Sequence, residues 1–551
     1  MPNITVSEQY KREVGQHLVV GFHGTDVSSD IKTLIQDYFV GSVILMKRNI
    51  KNAKQTQLMV QNLQQLARDA SHERPLLIGI DQENGLVSAF SSPTAGTQFP
   101  GAMALASAGP PEIAERVSAA SAAELKMVGI NWVYSPVADV NTDPQNPVIG
   151  VRSFGEDPAE VAKYTAAVVR GHAASGVAST AKHFPGHGDT HVDSHLALPV
   201  ISKTKERLYK EELVPFKPLV EKGIPSIMTG HMALPLVTGN EDPCSLSKVI
   251  TALLREEMGY KGLIVTDCLE MDAISEPKQG GCGTEEGTLR AIQAGADVAM
   301  ICHTFSRQKG AIERLYLALV QGRLDYDLLK ASGERVKKLK AAFTGDWESC
   351  LDKGSGWEDR FEHIKSQNQM LSKEMYLKTA KVIWNSGQVL PLKSSLFVGE
   401  KQLLLLTPEV EAVNRAVDSG DGTVVGAGDG VVRNTAGPSF LTLANELGKR
   451  VKKLKHIVYG RKVQTSGVVS RDIGAVVFLL RNADLRRWQL DFLDALELKN
   501  AGIPVVLVSS CGPYDLCGLE GTYKDWTGYV CTYEFTGEGL VGSLVAILSD
   551  L

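Results

Sequence analysis

Val177-Ala-Ser-Thr-Ala-Lys-His-Phe184 runs straight into Pro185-Gly-His-Gly-Asp189, and Asp193-Ser-His195 follows closely. The first half is small, apolar and β-branched until it ends in charge. The second half holds a Pro-Gly and a His-Gly pair, which favour turns. From Lys182 to His195 the chain carries His183, His187, His191 and His195 together with Lys182, Asp189 and Asp193. A strand that delivers a shaped polar loop is the reading, and titratable clusters of this kind mark functional sites.

Seven more runs resemble the first, at 17–22, 41–46, 76–81, 131–136, 225–231, 262–267 and 297–303. Segments of helical period lie between them, among them 53–67, 111–128, 158–175, 204–221 and 247–258. Eight strands alternating with helices over about 300 residues predict a (β/α)8 TIM-type barrel, with a large doubly wound sheet as the alternative. Several runs end in chemically capable groups: Asp81, Lys182 with His183, His231, Asp267 and His303. A barrel would bring all of them to its C-terminal mouth, where sites of this fold are built.

After the barrel the pattern changes. Residues 1–345 read as the barrel domain, 346–385 as a helical connector, and 386–551 as a smaller α/β sandwich. The apolar runs 402–406, 475–480 and 504–509 read as its strands and 440–451 and 486–499 as its helices. The stretch Ser419 to Gly430 is glycine-rich but lacks the Gly-Lys-Ser/Thr ending of a phosphate loop, so a surface loop is expected.

Composition narrows the function. A net charge of -5 over 551 residues provides no general attraction to nucleic acid or to an anionic membrane. The short basic runs Lys337-Lys-Leu-Lys340 and Lys452-Lys-Leu-Lys455 read as solvated helix faces. With a polar start and no apolar stretch long enough to span a bilayer, the expected location is cytoplasmic. Eight cysteines without a Cys-x-x-Cys pair are expected to be reduced core residues. A metal on the histidines is not expected: their four-residue spacing needs a helix, which Pro185-Gly186 and Gly188 oppose.

The strand-end groups suit glycosyl transfer. Asp267 is a candidate carboxylate nucleophile. Asp193 and His195 are candidates for an acid/base dyad, the imidazole moving the proton and the carboxylate supporting its charged form. Asp81, Arg152, Lys182 and His183 are candidate partners for sugar hydroxyls, with a salt-bridge network at the mouth as the plain structural reading.

The motif Lys182-His-Phe-Pro-Gly-His-Gly-Asp189 with Asp193-Ser-His195 resembles the family 3 glycoside hydrolases, in particular their β-N-acetylglucosaminidase branch. Met46-Lys-Arg-Asn49, Ile80-Asp-Gln-Glu83, Phe99-Pro-Gly-Ala-Met-Ala-Leu105, Ser135-Pro-Val-Ala-Asp-Val-Asn141, Arg152-Ser-Phe-Gly155 and Gly262-Leu-Ile-Val-Thr-Asp267 agree with it, as does Trp384-Asn-Ser-Gly387 at the entrance to a second domain. The resemblance implies that Asp267 is the nucleophile, His195 with Asp193 the acid/base dyad, and Asp81, Arg152, Lys182 and His183 the holders of a terminal sugar. It implies hydrolysis of a terminal β-linked N-acetylglucosamine with retention, without cofactor or metal, and leaves the aglycone and the oligomeric state open. One motif departs from the family: Asp-x-Glu-Gly-Gly-Arg stands here as Asp81-Gln-Glu-Asn-Gly-Leu86. Asn tolerates the left-handed backbone that the turn needs, whereas the lost arginine removes a local ion pair or reshapes an outer subsite.

Two other functions remain in view. A phosphorylase would suit a histidine acid/base, because a second carboxylate would repel the anionic acceptor. A catalytically inactive sugar-binding protein would retain the barrel without turnover.

Overall fold

The computed structural model describes residues 6–91, 95–190, 192, 197–277, 280–352, 354–397, 399–409 and 436–548. Asp193, His195 and the glycine-rich stretch from Ser419 to Gly430 lie outside them. The chain divides into two compact units, one of residues 1–98, 111–149 and 153–369, the other of 99–110, 150–152 and 370–551. The helix Trp357–Thr379 begins in the first and ends in the second, so the division falls inside the stretch proposed as a connector.

The first unit is a closed barrel of eight parallel strands. They are β1 (Leu18–Val20), β2 (Ser42–Leu45), β3 (Leu77–Ile80), β4 (Trp132–Val133), β5 (Ala178–Phe184), β6 (Ser226–Thr229), β7 (Leu263–Cys268) and β8 (Val298–Ile301). Each pairs with the next in the chain, and β8 closes on β1. All eight runs expected from sequence are strands. Successive side chains on a strand point to opposite faces. Leu18, Val20, Val43, Leu45, Ile78, Ile80, Ala299 and Ile301 accordingly pack outward with the helices. Val19, Ile44, Leu77, Trp132, Leu263, Val265, Val298 and Met300 form a separate lumenal cluster. Both faces are apolar, which is why each strand reads as an unbroken hydrophobic run.

Local signals set the surrounding helices. Asn52, Asp157 and Asp325 cap the helices Ala53–Asp69, Pro158–Ala174 and Tyr326–Phe343, each side chain accepting a backbone N–H of the first turn. The helix expected over 204–221 is two short ones, Lys205–Lys210 and Phe216–Glu221. Pro215 and Pro218 supply no N–H to a continuous ladder. The two basic runs also differ from expectation. Lys340 is buried within Tyr326–Phe343, donates to Gln16 Oε1 at 2.7 Å, and burial pulls its ammonium down to about 7. Lys452 and Lys453 lead into a strand, not a helix.

The second unit is a six-stranded sheet: β9 (Lys381–Trp384), β10 (Gln402–Pro408), β11 (Leu454–Tyr459), β12 (Ile473–Leu480), β13 (Val505–Ser509) and β14 (Thr527–Cys531). Their order is β9-β14-β13-β12-β10-β11, all pairs parallel except β9 on β14. The expected strands are β10, β12 and β13, which carry the long aliphatic runs. The other three went unread because β9 exposes Lys381, Val382 and Ile383, β11 is only half-buried, and β14 interrupts its apolar pattern with Gly528. No described helix is long and apolar enough to cross a membrane.

At the opposite end of the barrel strands from the mouth, Asp297 is fully buried. It accepts from Ile264 N at 2.7 Å, Ser332 Oγ at 2.5 Å, Arg335 Nε at 2.8 Å and the Arg255 guanidinium. Removing one partner of a buried ion pair strands the others. Asp297→Ala is expected to cost about 3 kcal/mol and to lower the barrel's thermal transition, measured by calorimetry on the full chain; an unchanged transition would show that the network adds no stability.

Candidate active site

Strand parity alone aims three groups into the mouth. Asp81 continues the lumenal series of Leu77 and Gly79, Lys182 that of Ala178 and Thr180, and Asp267 that of Leu263 and Val265. Below them the lumen is filled: Trp132 Nε1 donates to Thr180 Oγ1 at 2.8 Å and to Ser226 Oγ at 2.9 Å, and its ring meets Tyr134 edge-on. The polar residues therefore stand on a packed floor.

Lys182 Nζ lies 2.7 Å from Asp81 Oδ1 and 2.7 Å from Glu83 Oε1. Lys182 and Glu83 are buried, while Asp81 keeps 29 % of its side chain exposed. The buried pair satisfies itself, and Asp81 offers its carboxylate to the mouth. Glu83 was not among the expected site residues; its signal was its place two positions beyond Asp81.

His183 is held from behind. Its Nδ1 lies 2.7 Å from Asp139 Oδ2, and Asp139 Oδ1 accepts from His183 N at 3.1 Å and His187 N at 2.8 Å. An ionised carboxylate only accepts, so Nδ1 carries the proton and Nε2 is the working nitrogen. Burial pushes the Asp139 carboxyl up, but the neighbouring His183 and His187 and these hydrogen bonds outweigh it and hold it below the usual carboxylate range. Nε2 lies 3.9 Å from Asp267 Oδ2, too far for a hydrogen bond. A hydroxyl placed between them reaches both. Asp267 Oδ1 accepts from Cys268 N at 2.7 Å, and its side chain remains 21 % exposed. Asp139 is thus a second group that sequence reasoning left out of the site, although it lies in a quoted motif.

The turn after His183 depends on glycine. Gly186 has φ +126°, and a Cβ on Gly188 would sit 1.6 Å from Val140 O, so only glycine permits that approach. Beyond it Asp189 pairs with Lys203 at 3.1 Å, and Lys203 also meets Glu211 at 2.7 Å and Glu212. Burial opposes the Lys203 charge, yet the carboxylates prevail and hold its ammonium above the ordinary range. This cluster braces the last described part of the motif before Asp193 and His195.

The structure brings Asp81, Lys182, His183 and Asp267 together. Arg152 is buried in the single turn Gly150–Arg152, a segment of the second unit. His231, just past the C-terminal end of β6, is fully buried, with Nδ1 2.7 Å from Ser245 Oγ and Nε2 2.9 Å from Cys268 O, tying a loop to the end of β7. Asn84 adopts the left-handed conformation (φ 70°) expected of it, and its Oδ1 accepts from Ser121 Oγ at 3.3 Å.

The geometry fits what comparison finds. Residues 10–339 match the glycosyl hydrolase family 3 N-terminal domain. The chain is 35 % identical over 338 residues to β-hexosaminidase A of Pseudoalteromonas piscicida, covering 57 % of this chain and 56 % of that one. Its fold superposes on a fungal multi-domain family 3 β-N-acetylglucosaminidase that carries a GCN5-related glucosamine N-acetyltransferase region, with a TM-score of 0.86, 37 % identity and coverage of 98 % and 59 %. It also superposes on a family 3 β-N-acetylglucosaminidase from Paenibacillus sp. str. FPU-7, with a TM-score of 0.84, 31 % identity and coverage of 99 % and 97 %. The chain thus spans little more than half the length of the first two and nearly all of the third. Since the match takes in every barrel strand with its mouth, and a solved relative shares the fold almost end to end, the chain belongs to glycosyl hydrolase family 3.

Proposed function

We propose that the protein is a retaining exo-β-N-acetylglucosaminidase that releases terminal β-linked N-acetylglucosamine. The observation that carries the proposal is the Asp267 carboxylate at the lumenal end of β7, facing His183 Nε2 at 3.9 Å and sharing the mouth with Asp81 and Lys182. The names of the relatives, β-hexosaminidase and β-N-acetylglucosaminidase, support the choice of sugar.

In the first step an Asp267 oxygen attacks the anomeric carbon, a C–O ester bond forms, and the glycosidic C–O bond breaks. The electron pair of the broken bond goes to the leaving oxygen, which takes a proton from the His195 imidazolium. Asp193 supports that charged form. In the second step the now neutral His195 takes a proton from water, the hydroxyl attacks the anomeric carbon, and Asp267 leaves as a carboxylate. Two inversions give retention. His183, fixed by Asp139, and Asp81, fixed by Lys182, bind hydroxyls of the terminal sugar, and Arg152 is a further sugar contact in this reading.

Asp267→Ala is expected to abolish release of p-nitrophenol from its β-N-acetylglucosaminide while product binding, followed by calorimetry, persists. Wild-type turnover in that variant would remove Asp267 from the nucleophile's role. His195→Ala should lose about 100-fold or more on substrates with poor leaving groups and much less on activated aryl glycosides. Equal losses on both would contradict the acid role.

The deciding assay compares the β-N-acetylglucosaminide with the β-glucoside, each with and without phosphate. Preference for the acetamido sugar, independent of phosphate, is the expected result. Phosphate-dependent release would make the protein a phosphorylase, and no turnover at all would make it a sugar-binding protein.

A further inference from the structure

Strands β7 and β8 are neighbours in the barrel, and both end in groups that the reaction proposed above does not use. Cys268 directly follows Asp267, while Cys302 and His303 directly follow Ile301. Among the described residues these three are the one group of metal-ligating side chains whose ligand atoms all lie within 4.8 Å of one another. Both cysteines are buried and carry free thiols. They meet because the β7–β8 ladder shifts register between Val298 and Met300, setting Cys268 opposite Met300 in the lumenal cluster that also holds Cys302.

The backbone at Cys302 and His303 is held by contacts that need no ion. Glu270 accepts from His303 N at 2.6 Å and Thr304 N at 3.0 Å, and Arg48 Nη2 donates to Cys302 O at 2.6 Å. Such outer contacts orient the ligands of a metal site. Two thiolates and an imidazole select zinc and similar late first-row cations over magnesium or calcium. Three protein ligands with a fourth position for water is an established zinc arrangement, and tetrahedral bonding would set the ligand atoms about 3.5–3.8 Å apart. Contraction by about 1 Å, within the reach of side-chain rotation, closes the site.

We propose that Cys268, Cys302 and His303 form a binding site for a zinc-class divalent cation at the barrel mouth, one residue from Asp267. Capture exchanges two S–H bonds for two metal–sulfur bonds, adds one metal–nitrogen bond, and releases two protons to solvent, leaving a centre of no net charge. Arg48 Nη1 lies 3.1 Å from His303 Nδ1, and since a guanidinium only donates, ring coordination must break this contact. Cys268 N donates to Asp267 Oδ1, so drawing Cys268 onto an ion shifts the carboxylate. Turnover is expected to fall as the site fills, a consequence that rests on the function proposed above; binding itself does not.

The test uses the full-length chain, stripped with a chelator and titrated with Co2+ as a spectroscopic probe. One Co2+ per chain is expected, with a thiolate-to-cobalt charge-transfer band that Zn2+ abolishes and that survives in the control Cys517→Ser. The band should disappear in Cys302→Ser, and binding should weaken about tenfold or more in His303→Ala, a milder change that keeps the test open if the serine variant does not fold. Absence of a charge-transfer band at stoichiometric Co2+, or an unaltered titration in both variants, would overturn the proposal, whatever the outcome for sugar release.

Discussion

A closed parallel barrel allows a side chain two directions, and that constraint organises the first unit. Because side chains alternate along the strands, broken only where the ladders of β5 and β7 shift register, one series packs against helices and the other fills the lumen. Closure makes the lumenal series of eight strands converge. Apolar layers occupy the lower levels, with Trp132 spanning them by its bonds to Thr180 and Ser226. Where each strand rises above the packed floor, the same parity presents Asp81, Lys182 and Asp267 to a common space. The site results from periodicity meeting closure.

Convergence alone would be costly, since charges taken from water must be paired. The mouth meets that requirement unequally. Lys182 is paired with two carboxylates and Asp139 is held by the His183 ring and the backbone N–H groups of His183 and His187, and these inner groups serve as supports. Asp81 and Asp267 keep part of their surface open and remain available to a ligand. The division between buried supports and half-exposed working groups recurs at Lys203, whose carboxylate partners brace the turn after the His-Gly motif.

The far end of the barrel uses the same physics for stability. Asp297, fully buried, gathers two guanidinium groups, a hydroxyl and a backbone N–H. Both ends pair their buried charges, but the mouth leaves Asp81 and Asp267 partly exposed, and this separates a functional end from a structural one.

Much of this was legible in the chain. All eight barrel strands, the three core strands of the second sheet, and the gathering of Asp81, Lys182, His183 and Asp267 follow from runs of apolar residues that end in charge, because burial on both faces writes itself as continuous hydrophobicity. The left-handed turn at Asn84 was legible for a local steric reason. Tertiary structure alone decided the rest. The second sheet's edge strands β9 and β11 are half-solvated and lack the apolar signature. His231 ends an apolar run as Asp267 does, yet a loop serine and the Cys268 carbonyl claim both its nitrogens. Glu83 and Asp139 became part of the site only through partners about 100 and 44 positions away. Cys268 and Cys302 stand 34 residues apart in sequence, and a register shift between two strands makes them neighbours. Sequence determines what a strand must bury; which polar groups then meet depends on closure and register, which no local pattern encodes.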